Sequence, residues 1–418
     1  MLTEETPTLQ RPLEGVTVLD LTVALAGPFA TLLLAGLGAR VIKIENPLSV
    51  DSCRENAPYL GKDGATLVRQ HPDDVSVSAL NRLRNKQGIT LNLKNPQARG
   101  VFADLVRHAD VIFENFSRGA LERMGAGYAQ AREINPRIVY CSLTGFGSTG
   151  DAGSGKAMDA IIQALSGVMM TSGGPEDPPV RVGVPFADLC TPLFGVMGVL
   201  AALLQARRTG TGQHVDVSML GVMTMMVSGE PFDLLERCGV PQRTGLTVPR
   251  LAPFGIYKTL DGYISICAPQ EQFAKALFDA IGRSDMNSDP RFATRNQRVV
   301  NVRELDRIIE EFTRTRTNVQ AVTLLEAAGV PAAEVRDPNQ AVRDPRVVAR
   351  GETVKLLHPE YGEVEDVFGM GMPIQFSGAK VGFDRPPPNV GEHNHEIYGA
   401  LLGYSSERIA TLQRDGVI

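Results

Sequence analysis

The chain has 418 residues, 43% hydrophobic and 21% charged, and its 42 basic and 47 acidic side chains give a formal charge of −5. This is ordinary globular usage, so a disordered or collagen-like chain is excluded, and the length predicts two or three domains with a core that needs no disulfide or metal staple. No Lys/Arg-rich block occurs, which argues against a nucleic-acid partner.

The first part of the chain alternates strand-like and helix-like runs. GVTVLDLT (15–22) predicts a strand, ALAGPFATLLLAGLG (24–38) a helix ending at Gly36 or Gly38, and ARVIKIE (39–45) and GITLNLK (88–94) two further strands. PQARGVFADLVRHA (96–109) is amphipathic with Pro96 in its first turn. DVIFENF (110–116), GALERMGAGYAQAREIN (119–135) and RIVYCSLTGFG (137–147) continue as strand, helix, strand. The alternation predicts an α/β fold: a Rossmann-like large domain around a mostly parallel sheet covered on both faces. Ligands of such sheets bind beyond the carboxyl ends of the strands, which here carry LTVALAGP, ENFSRG and LTGFGSTG.

Residues 159–206 read as helical and very apolar, interrupted by SGGPEDPPVRVGVPFADLCTP, and GQHVDVSML (212–220) reads as a strand. APFGIYKTLDGYISICAP (252–269) predicts a hairpin turning at Asp261-Gly262. The amphipathic runs EQFAKALFDAIG, RELDRIIEEFTRT and NVQAVTLLEAAG then make a smaller α+β domain. The predicted boundaries are 1–227 for the large domain, 228–335 for the small one, and 336–418 for a return segment whose tail closes with a helix. The most apolar stretch, Leu193 to Leu204, is shorter than the ~20 residues of a membrane span and predicts a buried helix. MLTEETPTLQRPLEG (1–15) lacks the apolar core of a secretory signal. Cys53, Cys141, Cys190, Cys238 and Cys267 include no Cys-x-x-Cys pair and fit reduced thiols. The expectation is a soluble, cytoplasmic protein without a membrane partner.

Several chemistries lack their signatures. The first strand-to-helix turn, VALAGPFA, holds one glycine, Gly27, where a dinucleotide fingerprint needs Gly-x-Gly-x-x-Gly. No Walker A or Gly-x-Ser-x-Gly sequence occurs; Ser154, in GSGKA, predicts a surface turn. His393 and His395 lie two apart in a polar segment that reads as a solvated loop, and no metal site is predicted. Asp188 stands out as a carboxylate inside one of the most apolar regions. Burying it ionised costs several kcal/mol unless donors satisfy it. Two readings fit: an N-cap for the apolar helix that follows, or a reactive, poorly solvated carboxylate.

Taken together, PLEGVTVLDLT, AGPFATLLLAGLGARVIKIE, NKQGITLNLKN, ENFSRGALERMG, INPRIVYCSLTGFGSTG, TGTGQHVDVSML, TLDGYI, RPPPNVGEHNHEI and the final DGVI are similar to the class III CoA-transferases, the family of formyl-CoA, carnitinyl-CoA and succinyl-CoA-dependent transferases. The resemblance implies that Asp188, after Val-Gly-Val-Pro, is the catalytic nucleophile. It would pass through an acyl-aspartyl anhydride and an aspartyl-CoA thioester, shielded from water by Val184, Phe186, Leu189 and Leu193. Backbone N–H groups near Ala24 to Ala26, or near Asp188, are the candidate oxyanion donors. The resemblance places CoA on Leu25, Ala26, Asn46, Leu91 to Lys94, Asn115, Phe116, Arg123 and Lys156. The cations suit its phosphates, and Phe116 offers a face for the adenine. Met219 belongs to the core or touches the pantetheine. It further implies an interlocked homodimer, acyl-CoA and a carboxylic acid as substrates, and no permanently bound cofactor.

Racemases of the same fold place a histidine before the aspartate of the segment that here reads GKAMDAIIQ. Met158 stands there, and a thioether moves no proton, so racemisation is the lesser reading, alongside a non-catalytic CoA-binding subunit. Asp159 caps a helix or positions the acyl group. The glycine-rich lid of the formyl-CoA branch is missing, and position 25 is Leu rather than Gln. Both departures favour larger acids, such as succinate or other dicarboxylates, over oxalate and formate. Arg250 or Arg243 is the candidate partner of a distal carboxylate.

Overall fold

A computed structural model of the protein describes residues 10–149 and 156–418; Ser154 lies outside the described residues. The chain divides into two units, a larger one comprising residues up to Ser166, 182–226 and 342–418, and a smaller one comprising 167–181 and 227–341. The smaller unit therefore takes in a segment that sequence alone places with the larger. Gly245 N–H donates to Gly173 O (3.0 Å) and Arg243 Nη2 to Pro175 O (3.1 Å), links between distant stretches that local periodicity does not carry.

The larger unit is built on six strands: β1 (Thr17–Asp20), β2 (Arg40–Glu45), β3 (Lys86–Thr90), β4 (Val111–Glu114), β5 (Val139–Thr144) and β6 (His214–Ser218). All pair in parallel, in the order β3-β2-β1-β4-β5-β6. This doubly wound order reverses between β1 and β4, and that crevice is where such sheets bind ligands. Helices cover both faces, so β3 and β4 are buried along their whole length, and β4 (VIFE) shows no apolar–polar alternation. Five helices matter for the site: α1 (Ala26–Gly36), α2 (Val77–Arg82), α3 (Ala98–Arg107), α4 (Asp159–Leu165) and α5 (Phe186–Thr209). On α3 the stripe Ala98, Val101, Phe102, Leu105, Val106 is buried, the spacing expected of a core-facing helix. The predicted helix 119–135 is instead two, Ala120–Met124 and Tyr128–Ile134, because Gly125 turns left-handed (φ 79°) between them.

The apolar run 193–204 lies inside α5, a helix of 24 residues. By length and composition it would suffice to cross a membrane. It packs instead on α1 and β5, burying Cys190, Gly195, Val196, Val199, Ala202 and Leu203. Two glycines set this approach: a Cβ on Gly195 would fall 2.9 Å from Phe113 Cζ, and one on Gly198 2.6 Å from Val215 Cγ1. The other face of α5, with Leu193, Met197 and Leu204, is exposed. In the smaller unit the predicted hairpin forms, pairing Phe254–Lys258 with Tyr263–Cys267, and Ala332–Glu334 adds a third antiparallel strand. The helices Glu271–Ala280, Val302–Thr313 and Asn318–Ala327 bury Leu277, Phe278, Ile309 and Leu325 against Ile264 and Ile266.

A buried charge set fixes the carboxyl end of β1. Asp20 accepts from Lys86 Nζ (2.8 Å), Thr31 Oγ1 (2.6 Å) and the amide (2.9 Å) and hydroxyl (2.5 Å) of Thr22. Lys43 Nζ pairs with Asp51 (2.9 Å) and donates to Thr22 O. The side chains of Asp20, Lys43, Asp51 and Lys86 have no solvent exposure. Burial alone would raise the Asp20 ionisation, but Lys86 and Lys43 outweigh it and hold it at about 2. Its stabilising contribution is therefore complete above the ordinary value of 3.8 and is lost only as pH falls through about 2. Asp20→Asn leaves two buried ammonium groups short of a counter-charge and is expected to cost about 3–5 kcal/mol in denaturant unfolding at neutral pH. A loss below about 1 kcal/mol, the worth of an exposed pair, would contradict this account.

Candidate active site

Most of the predicted CoA-binding residues follow the carboxyl ends of strands in the sheet; Arg123, in the helix Ala120–Met124, and Lys156 do not. Leu25 and Ala26 follow β1, Asn46 follows β2, Leu91 to Lys94 follow β3, Asn115 and Phe116 follow β4, and Met219 directly follows β6. Lys94, Arg123 and Lys156 are exposed and Phe116 is half-buried, whereas Leu91 and Met219 are buried. Asn115 is committed within the chain: its amide accepts from Val23 N–H and donates to Val23 O, both at 2.8 Å, clipping the β1 and β4 loops across the crevice. Asn46 Oδ1 takes the Leu48 N–H (3.0 Å).

Between β1 and α1 the backbone is strained. Ala24 adopts φ 68°, a left-handed conformation that a residue with a Cβ visits only when its surroundings enforce it. They do so from both sides. Ala24 N–H donates to Asp51 Oδ1 (2.8 Å), and Ala24 O accepts from Arg82 Nη1 (3.2 Å). The Ala24 amide is thus no longer an available oxyanion donor. Among the described residues the amides of Leu25 and Ala26, which open α1, have no acceptor, as the first N–H groups of a helix do not.

Asp188 lies in the first turn of α5, which begins at Phe186 after Pro185. It is not the N-cap. The capping oxygen comes from Asp159, whose Oδ1 accepts from the amides of Ala187 (2.8 Å) and Asp188 (3.3 Å). Asp159 is held by Gln163 Nε2 (2.8 Å), and Gln163 Oε1 in turn takes Val182 N–H (2.9 Å). Among the described residues nothing hydrogen-bonds the Asp188 carboxylate. Burial, then the negative charge of Asp159, push its ionisation up to about 6, against the pull of Arg82. The result is a carboxylate ionised at neutral pH yet poorly solvated. The flanking apolar side chains do not close over it in the single chain: Val184 is 51% and Leu193 49% exposed.

Two candidates for the distal carboxylate lie in the smaller unit. Arg250 is half-buried with its fork filled by Glu230, at 2.7 and 2.8 Å, and Arg243 is buried against Pro175 O. Met158, 71% exposed, precedes α4. Among the described residues no group of three or more His, Cys, Asp or Glu is placed to hold a metal; the His393 ring instead accepts the Gly88 N–H (3.2 Å). Sequence reasoning missed Arg82, one basic residue among several in SALNRLRNK. It also missed Glu114, which burial pushes up to about 7 although Ser142 and the Phe116 amide (2.7 Å) favour its anion. Ser142 Oγ lies 2.9 Å from His214 Nε2.

The sequence profile of CoA-transferase family III matches residues 13–394. The chain is 34% identical over 407 residues to a succinate–glutarate CoA-transferase of Agrobacterium fabrum, covering 97% of this chain and 99% of that one. It is 35% identical to an acetyl-CoA:oxalate CoA-transferase of Acetobacter aceti, covering 96% and 97%. Among solved structures, a CaiB/BaiF family protein from Brucella suis superposes with a TM-score of 0.79 at 33% identity, covering 94% of this chain and 100% of that one.

The opposition of Asp159 and Asp188 is directly measurable. Asp159→Asn keeps an oxygen for the Ala187 amide but removes the like charge. The Asp188 titration, followed by carboxyl-carbon NMR, is expected to move down from about 6 toward the ordinary 3.8; an unmoved titration would contradict the coupling.

Proposed function

The chain belongs to CoA-transferase family III, and from that premise we propose that it moves CoA from an acyl-CoA thioester, succinyl-CoA or another short acyl-CoA, to a free dicarboxylic acid with Asp188 as nucleophile. The observation that carries this reading is the half-buried Asp188 carboxylate in the first turn of α5, without a hydrogen bond among the described residues and with its ionisation raised by burial and by Asp159.

An Asp188 oxygen attacks the thioester carbonyl, and the C–S electron pair leaves with sulfur, giving a mixed anhydride and CoA thiolate. The thiolate then attacks the Asp188 carbonyl, expelling the donor acid as carboxylate and leaving Asp188 joined to CoA. The acceptor carboxylate attacks that thioester, and the returning thiolate completes the new acyl-CoA and frees Asp188. The charge on each tetrahedral oxygen falls to the amides of Leu25 and Ala26, the donors left without an acceptor. Lys94, Arg123 and Lys156 hold the CoA phosphates, and Phe116 stacks on the adenine. Met219 lies beneath the pantetheine. CoA comes and goes as part of the substrate, so the cycle calls for no resident cofactor.

Both covalent intermediates hydrolyse unless water is kept out. Val184 and Leu193 are half exposed in one chain, as are Met197 and Leu204 on the same helix, which supports a homodimer whose second chain completes the closure. The acids named for the relatives, succinate, glutarate and oxalate, are dicarboxylic and support that acceptor class. Arg250 is bound to Glu230 and is left out of the assignment. The five free thiols suit a reducing, cytoplasmic setting.

Incubation with a panel of acyl-CoAs is expected to leave CoA attached at Asp188, detected by mass spectrometry. Asp188→Asn is expected to lower exchange by on the order of 10⁴-fold or more with CoA affinity retained. An adduct elsewhere, or exchange at the native rate in the variant, overturns the assignment. With dicarboxylic and monocarboxylic acceptors compared, the former are expected to react faster. Sedimentation of the active protein is expected to give a particle of two chains, and a fully active monomer would remove the proposed closure.

A further inference from the structure

Each backbone N–H from Leu21 to Ala24 is claimed in turn, and then the claims stop. Leu21 N–H donates to Phe113 O (2.9 Å), continuing the β1–β4 ladder. Thr22 N–H goes to Asp20 Oδ1 (2.9 Å) and Ala24 N–H to Asp51 Oδ1 (2.8 Å). Thr22 O accepts from Lys43 Nζ, and Ala24 O from Arg82 Nη1 (3.2 Å). Between them Val23 has both its groups held by one side chain. Its N–H donates to Asn115 Oδ1 and its carbonyl accepts from Asn115 Nδ2, each at 2.8 Å. An amide that gives an acceptor and a donor to the same residue stands in for a neighbouring strand. Asn115 thereby carries the contact between β1 and β4 past the ends of both strands, at Asp20 and Glu114. The arrangement is particular to asparagine: Asp has no donor for Val23 O, and Gln sets its amide one methylene further out.

The turn needs such holding. Ala24 stands at φ 68°, where a Cβ is unfavourable. Gly27 lies so close to the start of the turn that a Cβ on it would fall 2.3 Å from Thr22 Cβ. The chain is folded tightly on itself here, and the amides that come next, of Leu25 and Ala26, have no acceptor among the described residues. We propose that Asn115 is a positioning residue for the oxyanion donors: its side chain clips Val23, keeps Ala24 left-handed and so aims the Leu25 and Ala26 amides at the reacting carbonyl. This deepens, and rests on, the assignment of those amides in the transferase reading. The Asn115 side chain then serves the turn and is not itself a ligand of CoA, although Phe116 follows it. Holding CoA tolerates small shifts of the turn. Stabilising a tetrahedral oxygen does not, because its donors must lie about 2.7–3.1 Å away at the moment the charge develops. A loosened clip therefore slows turnover and leaves the affinity for CoA in place.

The test compares wild type, Asn115→Ala, Asn115→Asp and the double variant Asn115→Ala/Ala24→Gly. Steady-state exchange gives kcat and KM, calorimetric titration with CoA gives its Kd, and thermal denaturation checks that each protein is folded. In Asn115→Ala, kcat is expected to fall on the order of 10²-fold, the effect of misplacing a group in a site built for one geometry, with the CoA Kd within about threefold of wild type. Asn115→Asp keeps the acceptor but turns an oxygen toward Val23 O, and its kcat is expected to fall as far. The double variant is expected to regain about tenfold over Asn115→Ala, because glycine takes the left-handed turn without the cost that the clip offsets. A CoA Kd raised by more than kcat is lowered marks a ligand of CoA and overturns the proposal. A native kcat in Asn115→Ala, or a double variant no faster than Asn115→Ala, overturns it as well. If Asn115→Ala does not fold, Asn115→Ser takes its place with the same expectations. Absence of both exchange and a CoA adduct on wild-type Asp188 sinks the transferase reading instead. The clip is then read without turnover, by hydrogen exchange of the segment 21–26 followed by mass spectrometry: faster exchange at Val23 and Ala24 in Asn115→Ala supports it, and unchanged exchange refutes it.

Discussion

The strained turn after β1 stands on buried charge. Asp20, Lys43, Asp51 and Lys86 lie below the surface, and each anion is matched by an ammonium group within hydrogen-bond distance. An isolated charge in that position would be expelled or neutralised; a matched set is rigid, because moving any member strands another. The same Asp51 that answers Lys43 receives the Ala24 amide. The left-handed turn is thereby imposed by electrostatics, where a glycine would have adopted it freely. From that turn α1 starts, and its first unclaimed amides face the crevice.

The Asp188 carboxylate, the proposed nucleophile, is governed by opposing influences, of which burial and Asp159 prevail. Its place in the first turn of a long helix favours the anion, as does Arg82, while burial and Asp159 disfavour it. The outcome, at about 6, suits the proposed role, in which the group is negative at neutral pH yet bonds readily to carbon. A carboxylate fully paired with cations would be ionised but inert. Asp159 serves twice in this balance, sealing the helix start through its oxygens and holding its neighbour's ionisation high through its charge.

Much of this was legible in the sequence, for identifiable reasons. The alternation of VTVLDLT, RVIKIE, ITLNLK and VIFENF with helical runs fixes a parallel sheet. The family resemblance, not the periodicity, singled out Leu25, Asn46, Leu91 and Asn115, and each follows one of those strands at the edge where ligands of such sheets gather. What stayed hidden depends on contacts between distant segments. Asp188 looked like a cap because a carboxylate before an apolar run usually is one; the true cap comes from 29 residues earlier. The Arg82 hydrogen bond carries no local mark, because its acceptor is a backbone oxygen 58 positions away. Residues 167–181 join the smaller unit through bonds to Arg243 and Gly245, which no periodicity records.

The two glycines on the inner face of α5 have a mechanical consequence. With Gly195 against Phe113 and Gly198 against Val215, the helix lies flush on the sheet and cannot slide along its own axis without collision. Asp188, at its head, therefore sits at a fixed height above the strand tips, like a tool clamped in a vice. In the proposed cycle acyl group and thiolate travel to that fixed carbon in turn, so the motion of turnover would belong to the pantetheine arm rather than to the carboxylate.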